Sequence, residues 1–143
     1  MYNLVYSMRQ RIAPINILAI LIIVLAPFLS GCGGGKNTTE ADLAVTTTPA
    51  SGSTQAPAVG PTFSLNVTIT SPMPAQGVTI AIKATPDGSN TAFFQKSTST
   101  TAKSNDFTIS GQQVAQVNVV YITVTSNSKS SNTWSGSYRY SAK

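Results

Sequence analysis

The chain has no histidine and a single cysteine among its 143 residues. Without histidine, neither a Ser-His-Asp triad nor a Cys-His pair can be built. No run of acidic and polar residues has the regular spacing of oxygen ligands that a calcium loop needs. The acidic residues number only four: Glu40, Asp42, Asp87 and Asp106. The composition therefore predicts a protein that is not an enzyme and that holds no metal or other cofactor.

A carboxylate pair in the style of a glycosidase would have to come from Asp87 and Asp106. Neither of the two lies in a recognisable motif. Asp87-Gly88 is typical of a turn, because glycine tolerates a positive φ there, and Asp106 stands where a strand is expected to begin. We therefore predict no catalytic residue.

Nine basic residues against four acidic ones give a net charge of +5. In the second half of the chain the basic residues are scattered along the sequence: Lys83, Lys96, Lys103, Lys129, Arg139 and Lys143. A nucleic-acid site needs a basic stripe or an aromatic platform with basic residues around it. The spacing instead predicts solvated surface charge and no nucleic-acid partner.

The longest apolar run lies near the N-terminus, where Arg9 and Arg11 precede an apolar stretch over residues 12–29. A basic start followed by a short apolar stretch and small residues is the pattern of a secretory signal. The alternative is a permanent membrane helix, which needs about 20 apolar residues. Pro14 and Pro27 interrupt this run, and no basic cluster follows it, so the cleaved signal is favoured.

The residues that end this stretch, Leu29-Ser30-Gly31-Cys32, resemble the lipobox of bacterial lipoproteins. The resemblance implies cleavage between Gly31 and Cys32, with residues 1–31 as the signal peptide. It also implies acyl chains on Cys32, which would remove the thiolate from catalysis and from zinc binding. Each buried methylene stabilises the anchor by about 0.8 kcal/mol, so the membrane is the expected partner of Cys32. Gly33, in place of an aspartate, favours the outer membrane if the host has two membranes.

After Cys32 the composition turns to Gly, Thr, Ser, Ala and Pro, which is typical of a flexible spacer. Residues 41–45 (Ala-Asp-Leu-Ala-Val) interrupt it with enough alternation for a first strand. The boundary between the tether and the domain has two possible positions. We favour a tether over residues 32–40 and a domain over 41–143. In the alternative, the tether continues to residue 61.

From Phe63 onward apolar and polar residues alternate with a period of two, which indicates half-buried strands. The predicted strands cover residues 63–69, 78–82, 92–95, 107–109, 117–125 and 134–140. The Ser/Thr-rich residues 97–104 are expected to form a loop or a solvated edge. In 117–125 both faces are apolar, so either both are buried or a bulge re-aims the strand.

Seven short strands without a helical stripe predict an all-β fold, an antiparallel sandwich of two sheets. The pattern resembles the immunoglobulin-like modules of bacterial envelope proteins, and its start at residues 41–45 is similar to cell-adhesion-related (CARDB-like) domains. The expected core consists of Phe63, Leu65, Val67, Ile69, Val78, Ile80, Ile82, Phe93, Phe107, Ile109, Val120, Ile122, Val124 and Trp134.

Aromatic residues supply the remaining candidate site. Trp134, Tyr138 and Tyr140 share one face of the last predicted strand, and Phe94 and Tyr121 are candidates to join them. Sugar rings stack on such faces, and aromatic residues are enriched at binding hot spots. Aromatic residues at period two also pack the core of ordinary strands.

Together these features predict an exported protein, lipid-anchored to the cell envelope, whose domain has a structural or protein-binding role. The expected partner is then another envelope protein. The alternative is a surface carbohydrate-binding module, which would use the exposed aromatic residues to bind a glycan.

Overall fold

The computed structural model describes residues 39–112 and 114–143, so the expected signal peptide and Cys32 lie outside the described residues. Within them the fold is all-β, as predicted, and no helix there is long and apolar enough to cross a membrane. The seven strands are β1 (Val45–Thr48), β2 (Thr62–Ile69), β3 (Val78–Pro86), β4 (Phe94–Thr100), β5 (Ser104–Ser110), β6 (Val117–Ser126) and β7 (Thr133–Ser141).

The strands form two antiparallel sheets, one of three strands in the order β1-β2-β5 and one of four in the order β4-β3-β6-β7. This confirms the prediction of two antiparallel sheets. Residues 97–104, which are rich in Ser and Thr, were expected to form a loop or a solvated edge. Most of them belong to strands. β4 continues to Thr100 as an edge strand of its sheet, and β5 begins at Ser104. Only the three residues between them connect the two sheets here.

The core lies between the inner faces of the two sheets. Large apolar residues of β2, β3, β5 and β6 fill it, and they include every aliphatic residue expected there. Phe63, Phe93 and Trp134 are partly buried and pack against it. Four further core residues were not expected: Leu43, Ala84, Tyr138 and Tyr140. Each fully buried large side chain stabilises the fold by roughly 1.5–3 kcal/mol.

The ambiguous phase of β6 is resolved by its neighbours. Val120, Ile122 and Val124 face the core, whereas Tyr121 lies on the opposite, outer face. The ladders of β6 with β3 and β7 run in unbroken register, so no bulge re-aims the strand. Val119 is the exception on the outer face, because it too is buried.

An ion pair lies on the same outer face as Val119. Arg139 on β7 lies in register with Val119, and its Nε is 3.5 Å from Oδ2 of Asp87, which follows β3. Because β6 runs between the two strands that carry these charges, the paired side chains meet above β6. Both members of the pair are about half exposed, so the pair itself contributes little to stability.

The segment between β1 and β2 covers the free edge of β7. The Thr48–Pro49 peptide bond is cis, and beyond it the chain runs parallel to β7. Gly52 N donates to the carbonyl of Ser137 at 2.7 Å, and Ala58 N donates to that of Ser141 at 2.8 Å. The backbone groups along the C-terminal half of this β7 edge are therefore paired within the chain, which protects that part of the edge from pairing with other proteins.

Asn132 fastens the first described residues to the turn between β6 and β7. Its Oδ1 accepts the backbone N–H of Leu43 at 2.9 Å, and its Nδ2 donates to the carbonyl of Ala41 at 2.9 Å and to Oε1 of Glu40 at 2.6 Å. Leu43 enters the core just beyond these bonds, and β1 begins at Val45. The chain is thus held from residue 40 onward.

Candidate functional site

The five aromatic residues expected to form a platform do not share one exposed surface. Tyr138 and Tyr140 are 1% and 0% exposed, and Trp134 and Phe94 are partly buried against the core. Tyr121, at 47% exposed, is the one member of the set that faces solvent. The expectation of a joint platform is therefore wrong, because the aromatic face of β7 is its inner face.

The opposite sheet explains why Tyr138 and Tyr140 are buried. Tyr138 lies in register with the core residue Val120. From β2, Phe63 stacks on Tyr140 with 4.2 Å between ring centroids and lies 5.8 Å from the ring of Tyr138. Such aromatic pairs add about 0.5–1.5 kcal/mol beyond the area that they bury. These tyrosines join the sheets and are not available to a ligand.

Burial also changes the acidity of these two tyrosines. Desolvation, with a smaller contribution from Tyr140, raises the pKa of Tyr138 well above the ordinary value of about 10. Burial raises the pKa of Tyr140 to about 12. The Tyr140 hydroxyl donates to Oε1 of Gln112 at 3.3 Å, while the Tyr138 hydroxyl has no hydrogen-bond partner among the described residues.

We expect the free energy of unfolding to fall as the pH rises from about 10 to 12. In that window the unfolded tyrosines lose protons while the folded ones keep them, so each contributes a slope of about −1.4 kcal/mol per pH unit. Urea unfolding across this range measures it. The Tyr138→Phe,Tyr140→Phe variant should show a shallower fall, and Tyr121→Phe serves as the single-hydroxyl control. A slope unchanged in the double variant would contradict the prediction.

The exposed Tyr121 stands in a row of side chains that crosses the outer face of the four-stranded sheet. Backbone register aligns Gln95, Lys83, Tyr121 and Ser137, one from each strand. The next row toward the Asn132 end contains small side chains, namely Ser97, Ala81, Thr123 and Ser135. We call the residues of these two rows the Tyr121 surface.

The small side chains leave two open depressions, one on each side of Tyr121. One has a volume of about 420 Å³ and is lined by side chains that include Lys83, Gln95 and Thr123. The other has a volume of about 370 Å³ and lies between Tyr121 and the β7 edge, where Gly52 and Ser137 line it. Because the tyrosine lines both, a ligand that crosses the strands would contact its ring from either side.

The Tyr121 surface carries a positive charge, and polar side chains stand beside its apolar parts. Lys83 is half-buried and has no ion-pair partner among the described residues. Lys96, which also borders the larger depression, lies in register with Ile82, and its Nζ is 5.6 Å from the centroid of the Phe107 ring. The ammonium group of Lys96 therefore lies on the inner side of β4, away from the Tyr121 ring. In the part of the chain that the structure describes, no carboxylate lines either depression.

Asp87 and Asp106 both lie away from the Tyr121 surface and have partners of their own. Asp87, which follows β3, pairs with Arg139. Asp106, on the three-stranded sheet, accepts a hydrogen bond at 2.8 Å from Asn66 of the same sheet. The two carboxylates thus lie on different sheets. Within residues 39–112 and 114–143, no three histidine, cysteine or acidic residues come together as metal ligands would.

Sequence reasoning named Tyr121 but missed Lys83 and Gln95. Lys83 is the only charged residue of β3, on the face opposite to Val78, Ile80 and Ile82, and this placement was the available signal. Its alignment with Tyr121 and Gln95 depends on strand pairing over long sequence distances, which the pattern of one strand does not contain.

No protein-family model, no curated protein and no solved structure matches this chain.

Proposed function

We propose that this chain is a lipid-anchored, non-catalytic protein of the bacterial cell envelope, whose domain has a structural or protein-binding role. The observation that carries the proposal is the sequence Leu29-Ser30-Gly31-Cys32 at the end of the apolar stretch. It is supported by a β domain that begins a few residues later and that needs no disulfide to hold its core together.

The proposal includes an immunoglobulin-like assignment for the domain, supported by the strand order. Immunoglobulin constant domains pair the first, second, fifth and fourth strands in one sheet and the third, sixth and seventh in the other. Here the order is β1-β2-β5 and β4-β3-β6-β7. The single difference is the fourth strand, which pairs with the third and so belongs to the other sheet.

The anchor would hold the domain close to the membrane. Thr39 follows Cys32 by seven positions in the sequence, a separation that extended chain spans in at most about 25 Å.

The anchor is tested by the intact mass of the protein in the membrane fraction of a bacterial host. We expect the mass of residues 32–143 plus acyl groups, because the lipobox directs both cleavage and acylation. Cys32→Ala should lose the acyl mass and the membrane retention entirely. Correct processing of the host's own lipoproteins is the control. An unmodified full-length mass in such a host would instead make residues 12–29 a permanent membrane helix.

A carbohydrate-binding role is the second candidate, and the Tyr121 surface is the observation that favours it. An exposed aromatic ring between two depressions, each lined by apolar surface with a few polar side chains, offers a sugar both a stacking surface and hydrogen-bonding groups. Binding of polysaccharides by the purified chain tests this role independently of the anchor.

A further inference from the structure

The geometry points to a linear polysaccharide with a carboxylate in its repeat as the ligand of the Tyr121 surface, running across the strands from β4 to β7. This inference deepens the carbohydrate-binding candidate and rests on it. It assigns stacking to Tyr121, recognition of the carboxylate to Lys83, and hydrogen bonding to Gln95 and Thr123.

The linear shape follows from the arrangement of the two depressions. They lie on opposite sides of Tyr121 along the direction that crosses the strands, and the ring lines both. The row of small residues next to that of Tyr121 leaves this path open along the sheet, from Ser97 to Ser135. A ligand of several linked sugar rings fits such an open path, whereas a compact small molecule would use only one depression.

The acidic character follows from the charges. Lys83 lies next to Tyr121 in register, and its ammonium group has no ion-pair partner among the described residues. A carboxylate on the ligand would supply the missing partner through a charge-assisted hydrogen bond. The nearest acidic residue along β3 is Asp87, whose carboxylate is paired with Arg139 and therefore does not compete for Lys83.

The test is biolayer interferometry on the immobilised full chain, in a polyoxyethylene detergent that carries no sugar headgroup. The probes are alginate, polygalacturonate and hyaluronan, with dextran and pullulan as neutral polymers, at an ionic strength of about 0.15 M to screen non-specific attraction. We expect the three acidic polymers to bind and the two neutral ones to bind at least about tenfold more weakly, because they lack the charge-assisted bond.

Variants then separate the two contributions. Tyr121→Ala should weaken binding by about tenfold, as loss of an aromatic hot spot does, while Tyr121→Phe keeps the ring and the affinity. Lys83→Gln should lose the preference for acidic polymers. Lys129→Gln, the same charge change in the turn between β6 and β7, is the matched control. Ala81→Gln, which fills the larger depression, should block binding without altering Tyr121, and circular dichroism melts verify that each variant folds.

Three outcomes would overturn the inference: no binding of any acidic polymer, equal affinity for neutral polymers, or equal losses in Lys83→Gln and Lys129→Gln. Binding of neutral polymers alone would leave the carbohydrate-binding candidate standing and remove only the acidic ligand. None of these results bears on the anchor, which the mass of the Cys32 product tests separately.

Discussion

Replacing Gly77 by alanine should destabilise the domain by about 2–5 kcal/mol, the largest effect that we expect from a single methyl group. Gly77 has φ +72°, and a left-handed conformation costs an alanine about 1–2 kcal/mol. The added Cβ would also overlap the Thr100 carbonyl oxygen. Because Thr100 pairs with Val78 next to Gly77, this carbonyl cannot move without disturbing the sheet, and overpacking of this kind costs about 1–3 kcal/mol.

Gly88→Ala is the matched control for this prediction. Gly88 has nearly the same φ, +76°, but nothing lies within 4 Å of the position that its Cβ would take. Its variant should therefore show the conformational cost alone, about 1–2 kcal/mol. Urea unfolding measures both losses, provided that the two variants share the same dependence of the unfolding free energy on urea concentration. Equal losses in the two variants would show that the contact with Thr100 has no energetic consequence.

Replacing Asn132 by alanine should lower the free energy of unfolding by about 2–3 kcal/mol. The change leaves the N–H of Leu43 and the carbonyl of Ala41 without their partner, and each buried polar group that loses its partner costs about 1–3 kcal/mol. Water reaches the exposed Ala41 carbonyl and reduces its share. The change should also free the backbone around Leu43 locally, because the Asn132 side chain binds Glu40 as well.

Hydrogen exchange distinguishes this local effect from general destabilisation. In Asn132→Ala the amide of Leu43 should lose its protection, whereas amides in the centre of β6 should change only in proportion to global stability. Asn66→Ala is the matched control, because the Asn66 side chain bonds Ser104 and Asp106 at an exposed position. It should cost well under about 1 kcal/mol. Unchanged protection of Leu43 in Asn132→Ala would contradict the role of Asn132.

The effect of Asn132→Ala is separate from the proposed anchor. Cys32 decides whether that anchor exists, whereas Asn132 decides where the described chain becomes fixed to the rest of the domain.

Much of the strand pattern was predictable because alternation reports burial directly. β2 has a strict period of two, in which Leu65 is one of the apolar residues that alternate with polar ones, and β3 keeps the same period in its burial from Val78 to Lys83. When one face of a strand is buried and the other is solvated, the side-chain period of two leaves only one consistent register. The Pro86-Asp87-Gly88 turn was predictable for a similar local reason, since glycine accepts the positive φ that it has there.

The Tyr121 surface shows where local patterns stop being sufficient. Tyr121 and Tyr138 are both aromatic residues in strands of the same sheet, yet one is exposed and the other is in the core. Their own strands do not distinguish them, because β6 is apolar on both faces and β7 has aromatic residues against serines. Strand pairing places Tyr138 beside Val120 on the inner face of the sheet, where Phe63 of the other sheet packs against it.

The sequence by itself determined the all-β class, the approximate positions of most strands and nearly all of the aliphatic core, because these depend on the alternation of neighbouring residues. It also supplied the lipobox resemblance on which the proposed anchor depends. The tertiary structure alone decided which aromatic residues face solvent, that Lys83 and Gln95 line up with Tyr121, and that Asn132 holds the start of the domain. Each of these depends on contacts between residues far apart in the chain, such as the 89 positions that separate Leu43 from Asn132, and only the folded sheets bring such residues together.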